Sequence, residues 1–425
     1  MYLSIKGETF DGNTFFEKAF EMGAKACMIN FVPNQEVLNK YIDKTIVKVE
    51  NTIEAIQKLA KYKRLQYNIP VVAVTGSVGK TSTKDIIASV VSQKFHTLKA
   101  QGSYNNYIGL PLTILNLKDH TALVLEIGMN HFGEISKLVK IAMPTIAIIN
   151  NVGTAHIGNL GSREGILKAK LEILEGLMPD GTLIINNDND LLHNWANEYK
   201  ENVQIKSFGI ENKSDYIATN IKTYENGSEY KIKIQENTWT VEVPVGGNHF
   251  ILNSLCAFCV GELLNIEEPQ IIKGIKEFEL TKMRMDVFKT KNDILIIDDT
   301  YNASYDSMKY AIEYLGKLNK RKIALLADML ELGEYSKYLH KKVGKEVVDN
   351  NIDILITLGE EAKSIAQKAL ELGMEKDKIF IYKTPEEVIE KLTNTLTIGD
   401  AILIKGSRKM KLEEILEKMK NTIFI

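Results

Sequence analysis

A chain of 425 residues is too long for one hydrophobic core, so two or three domains are expected. With 44% apolar and 25% charged residues it has the make-up of a soluble globular protein, and a formal net charge of −2 gives no general attraction to nucleic acid or anionic membrane. No stretch holds the ~20 apolar residues a spanning helix needs, Met1–Lys6 does not read as a signal peptide, and three cysteines point to a reducing cytoplasm rather than a disulfide framework.

Residues 1–68 read as a small α/β domain. Tyr2–Ile5 and Ala26–Ile29 read as strands, with a helix from about Thr14 to Met22 closed by Gly23. Asn51 caps a helix running to about Tyr67. Pro70 then stops it and marks a boundary.

Residues 69–282 form a central domain. Val71-Val72-Ala73-Val74 is a buried strand that turns through Thr75-Gly76-Ser77-Val78-Gly79 into Lys80-Thr81-Ser82 and a helix reaching Val91. Strand, glycine turn and helix form a phosphate cradle: backbone N–H groups approach the phosphates, Lys80 reaches the β- and γ-phosphates, and the Thr81 hydroxyl holds Mg²⁺. The common loop has about four residues between its glycines; here only Ser77 and Val78 stand there. Ala122–Glu126, Thr145–Ile149 and Thr182–Ile185 are near-continuous apolar runs, as parallel strands covered on both faces require. Tyr230–Ile234 and Trp239–Val243 alternate strictly and predict an antiparallel hairpin with one wet face. Helices follow at about Phe250–Leu264 and Pro269–Phe278.

Residues 283–425 restart the alternation, with strands at Ile294–Asp298, Lys322–Ala327, Ile354–Leu358, Ile379–Tyr382 and Ala401–Ile404. This is a Rossmann-like domain, and no internal repeat is visible. The fold class is therefore α/β in three domains: a small N-terminal unit, a central parallel-sheet P-loop ATPase-like domain with an antiparallel hairpin, and a Rossmann-like C-terminal domain.

Parallel sheets bind ligands beyond the carboxyl ends of their strands. Glu126 ends one such strand and Asn150-Asn151 follow another, with His156 close behind. A carboxylate and the Thr81 hydroxyl suit Mg²⁺; His156, a less usual ligand for it, would alone read as a loop histidine. On the helix from about Arg163, Lys168 and Lys170 lie about 200° apart, so only one can face a site. Asp188 and Asp190 read as N-caps. Cys256 and Cys259 have redox spacing but share a helix face, which predicts buried, inert thiols. Asp298-Asp299-Thr300-Tyr301 and Lys405-Gly406-Ser407-Arg408 end strands of the third domain and are placed to face the central one. Lys405 and Arg408 could meet a phosphate or carboxylate.

These residues resemble the Mur ligase family across essentially the whole chain. Thr75–Ser82 looks like its short ATP loop, and the match is closest to the D-alanyl-D-alanine-adding branch. Asn106–Pro111, Glu126–Ile135, Asp298–Ala303, Asp328–Glu334 and Lys405–Arg408 carry it. The resemblance implies an ATP-dependent amide ligase acting through an acyl phosphate, with UDP-MurNAc-tripeptide and D-Ala-D-Ala as substrates. It implies a monomer in the cytoplasm, with two Mg²⁺ sites built from Thr81, Glu126, His156 and Lys170, the last as a carbamate. Lys80, Glu126, His156 and Lys170 would be catalytic. ATP would lie on Thr75, Gly76, Ser77, Val78, Gly79, Lys80, Thr81 and Ser82, with Asn253, Arg284, Asp299 and Tyr301. Asn106, Asp328, Lys405, Ser407 and Arg408 would bind substrate, and Lys6-Gly7-Glu8 with Asp11 would hold the uridine end. Family members carry an Asp-Ser-Arg stretch ahead of the position of Tyr2. The resemblance thus implies either a clipped or misassigned start or an altered uridine site. Ala327 replaces a usual glycine. Domain closure is expected about a hinge near Leu280–Lys289. The alternatives are another Mur-type amino-acid ligase, which would lack the Asp328–Glu334 stretch, and a nucleotide-binding protein with an impaired uridine site.

Overall fold

The structure, a computed structural model, describes residues 1–7, 9–199, 202–225 and 227–422. At the N-terminus, β1 (Tyr2–Leu3), β2 (Ala26–Ile29) and β3 (Thr45–Lys48) pair in parallel in that order. Phe16, Phe20 and Tyr41 pack against the sheet. The helix expected over 14–22 begins as a 3₁₀ turn, Gly12–Phe15, and continues as Phe16–Glu21 with Gly23 at φ 96° beyond it. β3 and the helix Gln35–Lys40 were not expected: neither buries a full apolar face, so neither leaves a period in the sequence. Helix Thr52–Leu65 starts at Asn51, whose side chain accepts from the Ile53 and Glu54 amides. Its buried Arg64 donates to Ala142 O at 2.8 Å and Met143 O at 3.1 Å, fastening the N-terminal lobe to the next.

The central sheet is wholly parallel. Its strands are β4 (Val71–Thr75), β5 (Thr97–Lys99), β6 (Ala122–Glu126), β7 (Ile146–Ile149), β8 (Thr182–Asn186), β9 (Gln204–Gly209) and β10 (Tyr216–Ile217). Their order is β10-β9-β8-β7-β4-β6-β5. Every residue of β4, β6, β7 and β8 is buried, which explains their unbroken apolar runs. The chain leaves β4 toward β5 and β6 on one side, then returns to β7 on the other. A ligand-binding crevice therefore opens at the carboxyl end of β4.

The hairpin is present as β12 (Gly227–Ile234) and β13 (Asn237–Val243), joined by an unforeseen β11 (Thr219–Tyr224). Tyr230 and Ile232 face inward and Lys231 and Lys233 outward, as the alternation predicts. Cys256 and Cys259 are 0% exposed inside helix Asn248–Leu263, and burial pushes both thiols up. The N-cap reading of Asp188 and Asp190 needs correction. Asn189 caps the helix Asp190–Glu198, Asp190 binds Arg163, and Asp188 accepts the amides of Ile210, Glu211 and Asn212. Asn189 has the extended backbone and the right reach to the third amide, which residue type alone could not assign.

In the C-terminal lobe, β14 (Asp286–Lys289) runs antiparallel to β15 (Leu295–Asp299). β16 (Lys322–Ala327), β17 (Ile354–Leu358), β18 (Ile379–Tyr382) and β19 (Ala401–Lys405) complete a sheet ordered β14-β15-β19-β16-β17-β18. The last strand inserts beside β15, and that register sets Lys405 directly opposite Asp299. Among the described residues no helix is long and apolar enough to cross a membrane.

Candidate active site

The carboxyl ends of β4, β6 and β7 meet those of β15 and β19 across a cleft of about 1010 Å³, which helix Thr52–Leu65 walls on the N-terminal side with Ile53, Glu54 and Gln57. Gly79, at φ 77°, ends the β4 loop and caps helix Lys80–Val91. A Cβ there would stand 2.8 Å from Asn150 Nδ2 and 3.3 Å from Asn253 Oδ1, so the position needs glycine on both counts. The Ser77 and Val78 amides both donate to Asn151 Oδ1, at 3.0 and 2.9 Å, and the Ser77 hydroxyl accepts from Gly153 N. Among the described residues the amides of Gly79, Lys80, Thr81 and Ser82 have no partner. A short row of open donors at the positive end of a helix is an anion site.

Lys80 Nζ folds back to Gly76 O at 2.8 Å; burial lowers its pKa while Glu126 opposes the shift. Thr81 Oγ1 donates to Glu126 Oε2 at 2.8 Å, and Asn105 Nδ2 donates to the other carboxylate oxygen at 2.6 Å. His156 holds φ 62°, a rare conformation for a residue with a side chain, and sits with Nδ1 2.9 Å from Glu331 Oε2. Burial first, then the Lys80 and Lys170 charges, bring its pKa to about 4 against the pull of Glu331. Lys170 is 2% exposed and Lys168 is on the surface, so the helix turns one lysine inward as expected. Among the described residues nothing accepts from the Lys170 amine, and burial holds its pKa well below the ordinary lysine value.

From the other side, Arg284 stacks on Tyr301, its guanidinium carbon 3.9 Å from the ring centroid, and reaches Thr81 Oγ1 at 3.4 Å. Its Nε is buried without a partner, as is Asn253 Nδ2. Such orphan donors are expensive unless a ligand takes them. Lys405 Nζ binds Asp299 Oδ2 and Asn302 O. Burial lowers its pKa and Asp299 opposes that.

The chain from 74 to 261 matches the Mur ligase middle domain, and from 283 to 408 the Mur ligase glutamate ligase domain. Over 422 residues it is 38% identical to the UDP-N-acetylmuramoyl-tripeptide--D-alanyl-D-alanine ligase of Bacillus subtilis (strain 168), spanning 99% of this chain and 90% of that one. The chain belongs to the Mur ligase family. The Escherichia coli (strain K12) ligase of the same name is 32% identical, across 99% of this chain and 90% of that one. Two solved relatives share the fold. MurF from Acinetobacter baumannii superposes with TM-score 0.88 at 28% identity, over 98% of this chain and 90% of that one. MurF ligase from Thermotoga maritima, solved in complex with ADP, gives 0.86 at 29%, over 99% and 93%.

In this Mur ligase the cleft gathers Ser77 through Ser82, Asn106, Glu126, His156, Asn253, Arg284, Asp299, Tyr301, Lys405, Ser407 and Arg408. Other sequence-named residues lie off its lining. Thr75 and Gly76 stand behind the loop, with Thr75 Oγ1 donating to Ile127 O. Lys170 is packed beneath it. Asp328 turns away, accepting the Ala362 amide at 2.8 Å, while its own carbonyl accepts from Ser407 N. It shapes the 405–408 turn rather than facing the cleft. Lys6 and Asp11 pair as a backbone bridge in the N-terminal lobe, where Asn13 takes the Asp11 carboxylate; Glu8 lies outside the described residues. Asn151, which shapes the loop, is one of the two asparagines that the sequence marks just past a strand end. Asn105, which orients Glu126, is not marked, because a loop amide side chain carries no periodic signal.

Proposed function

We infer that this Mur ligase is an ATP-dependent amide ligase that joins D-alanyl-D-alanine to UDP-N-acetylmuramoyl-tripeptide, a step of peptidoglycan precursor synthesis. One observation carries the chemistry: open helix-terminal amides, Lys80, the Thr81–Glu126 pair and Arg284 converge on a single point between two lobes. The choice of substrates rests on full-length relatives of that name.

A carboxylate is a poor acyl donor because its leaving group would be oxide. Transfer of the γ-phosphoryl group to a carboxylate oxygen turns that oxygen into part of a phosphate leaving group. Most of the catalysis is then positioning and charge neutralisation. The amides of Gly79–Ser82 and the Lys80 ammonium hold the β- and γ-phosphates, and Arg284 closes over them. The D-Ala-D-Ala amine, with a pKa near ~8, is partly neutral at cell pH and attacks the acyl carbon. The tetrahedral adduct collapses to the amide, and the C–O bond breaks to release phosphate. Asn106, Lys405, Ser407 and Arg408 position the peptide substrates, while Asp299 and Asn253 hold the nucleotide. The N-terminal lobe, around Lys6 and Asp11, takes the uridine end.

The donor set fits Mg²⁺. Thr81 Oγ1 and Glu126 Oε2 are hard oxygens already 2.8 Å apart. Among the described residues no cluster of three His, Cys, Asp or Glu stands ready for a metal, so phosphates and water would supply the remaining ligands. When bound, the ion neutralises phosphate charge. A second site would use His156 together with Lys170. Burial disfavours the charged form of the Lys170 amine; its neutral form can attack CO₂ and lose a proton, giving a carbamate whose oxygens would bind a metal. We propose that the enzyme acts as a monomer in the cytoplasm.

Phosphate release with each substrate omitted in turn tests this reading. Release that needs ATP, the tripeptide nucleotide and D-Ala-D-Ala together is expected, and Lys80→Ala should abolish it. ATP hydrolysis that needs neither acceptor would overturn the assignment.

A further inference from the structure

Asp85 lies on the helix that starts at the phosphate loop but points away from the cleft. It is 2% exposed. Its Oδ1 stands 3.3 Å from Lys84 Nζ and 3.2 Å from Lys99 Nζ. Its Oδ2 accepts twice from Thr281, from the amide at 3.1 Å and the hydroxyl at 2.8 Å. Thr281 opens the strap that connects the central lobe to β14. That strap is strained: Met283 and Met285 hold φ of 65° and 50°, the left-handed region that side chains disfavour. Cross-links hold it there. Tyr301 N donates to Met283 O at 3.2 Å, and Met285 N donates to Asp299 Oδ1 at 3.2 Å. Arg284 stands between the two strained residues, with its orphan Nε and its reach to Thr81.

We propose that Asp85 is a positioning residue: through Thr281 it pins the root of the strap to the nucleotide-binding helix, and so fixes Arg284 over the phosphate site. The cross-links to Met283 and Met285 come from the C-terminal lobe and would move with it. The Thr281 link ties the root of the strap to the helix whose N-terminus receives the phosphates, the same helix on which Arg284 reaches Thr81. A strained arch pinned at both ends has one low-energy shape, which presents the guanidinium without a conformational search. The two lysines neutralise the buried carboxylate and leave both acceptor positions of Oδ2 for Thr281.

The proposal rests on ATP being the phosphoryl donor. Replacing Asp85 would leave Lys84 buried without its counterion, so the test uses Thr281→Val, which deletes one donor and keeps the shape. Wild type, Thr281→Val, Thr281→Ser, Arg284→Gln and the Thr281→Val/Arg284→Gln double variant are compared for kcat/KM with respect to ATP. They are also compared for the Kd of a non-hydrolysable ATP analogue. Thr281→Val should lower kcat/KM roughly tenfold, as loss of a hydrogen bond to a charged acceptor dictates. It should weaken analogue binding in step, and Thr281→Ser should restore both. Arg284→Gln should lower kcat/KM by about a hundredfold, and adding Thr281→Val should cost less than about twofold more, because both act through one guanidinium. Losses that multiply in the double variant, or a Thr281→Val enzyme with unchanged constants, would overturn the proposal. A wild type that binds the analogue but ligates nothing would count against the ligase reading alone, since the analogue arm still reads the strap.

Discussion

Among the described residues nothing accepts from the Lys170 amine, and the residue is 2% exposed. Burial disfavours its charged form, so the folded protein binds fewer protons here than the unfolded chain does. Stability therefore falls as pH drops below the ordinary lysine value, until the lowered pKa is passed. Lys170→Met should raise Tm at pH 7 while removing ligase activity. The gain should shrink toward zero as the pH rises to about 10.4; a thermal melt series over pH 7–10 checks both signs. Lys80 and Thr81 are legible in the sequence because each has a fixed place in a strand–turn–helix unit, and Glu126 because it closes an apolar parallel strand. Helical periodicity leaves Lys168 and Lys170 open, the family resemblance names Lys170, and the structure buries Lys170. Asp328 was legible as part of a family stretch, but its direction was not. That depends on the amide of Ala362, distant in sequence, and no local pattern carries such information.

The phosphate loop is short, and Asn151 makes up for its length. With only Ser77 and Val78 between the glycines, two amides point to the neighbouring strand's loop and are capped there. The open donors shift to the helix start, Gly79 to Ser82. The loop glycines alone predict backbone amides at the phosphates and do not separate these two groups, because Asn151 follows a different strand. Gly79→Ala should hold the loop in a strained left-handed turn, at about 1–2 kcal/mol, with its new methyl against Asn150 and Asn253. The folded state should survive with Tm lowered by a few degrees, while kcat/KM for ATP falls at least about a hundredfold, as expected for misplaced anion donors. Calorimetry and initial rates on the same sample separate the two effects.

The lobes of the molecule already touch across the cleft. Asp306 Oδ2 accepts from Thr154 N at 2.7 Å and Thr154 Oγ1 at 2.8 Å. Gly153 allows this, since a Cβ there would lie 2.3 Å from that oxygen. Tyr301 hydroxyl donates to Ser103 Oγ at 2.6 Å, and Tyr335 hydroxyl to Gly161 O at 2.8 Å. Alternating strands and helices made the three-lobed α/β architecture legible. These crossings were not, since each joins residues far apart in sequence on surfaces without apolar period. They matter because the loop of the central lobe can deliver phosphate to a carboxylate only if the third lobe closes the crevice and excludes water.

Oxygen tracing reads that outcome most directly. UDP-MurNAc-tripeptide carrying ¹⁸O at both oxygens of its terminal carboxylate is turned over with ATP and D-Ala-D-Ala, and the released phosphate is weighed by mass spectrometry. Transfer of the γ-phosphoryl group to the carboxylate predicts one ¹⁸O in each phosphate. Phosphate without ¹⁸O, its fourth oxygen drawn from solvent, with product still formed, would contradict the account.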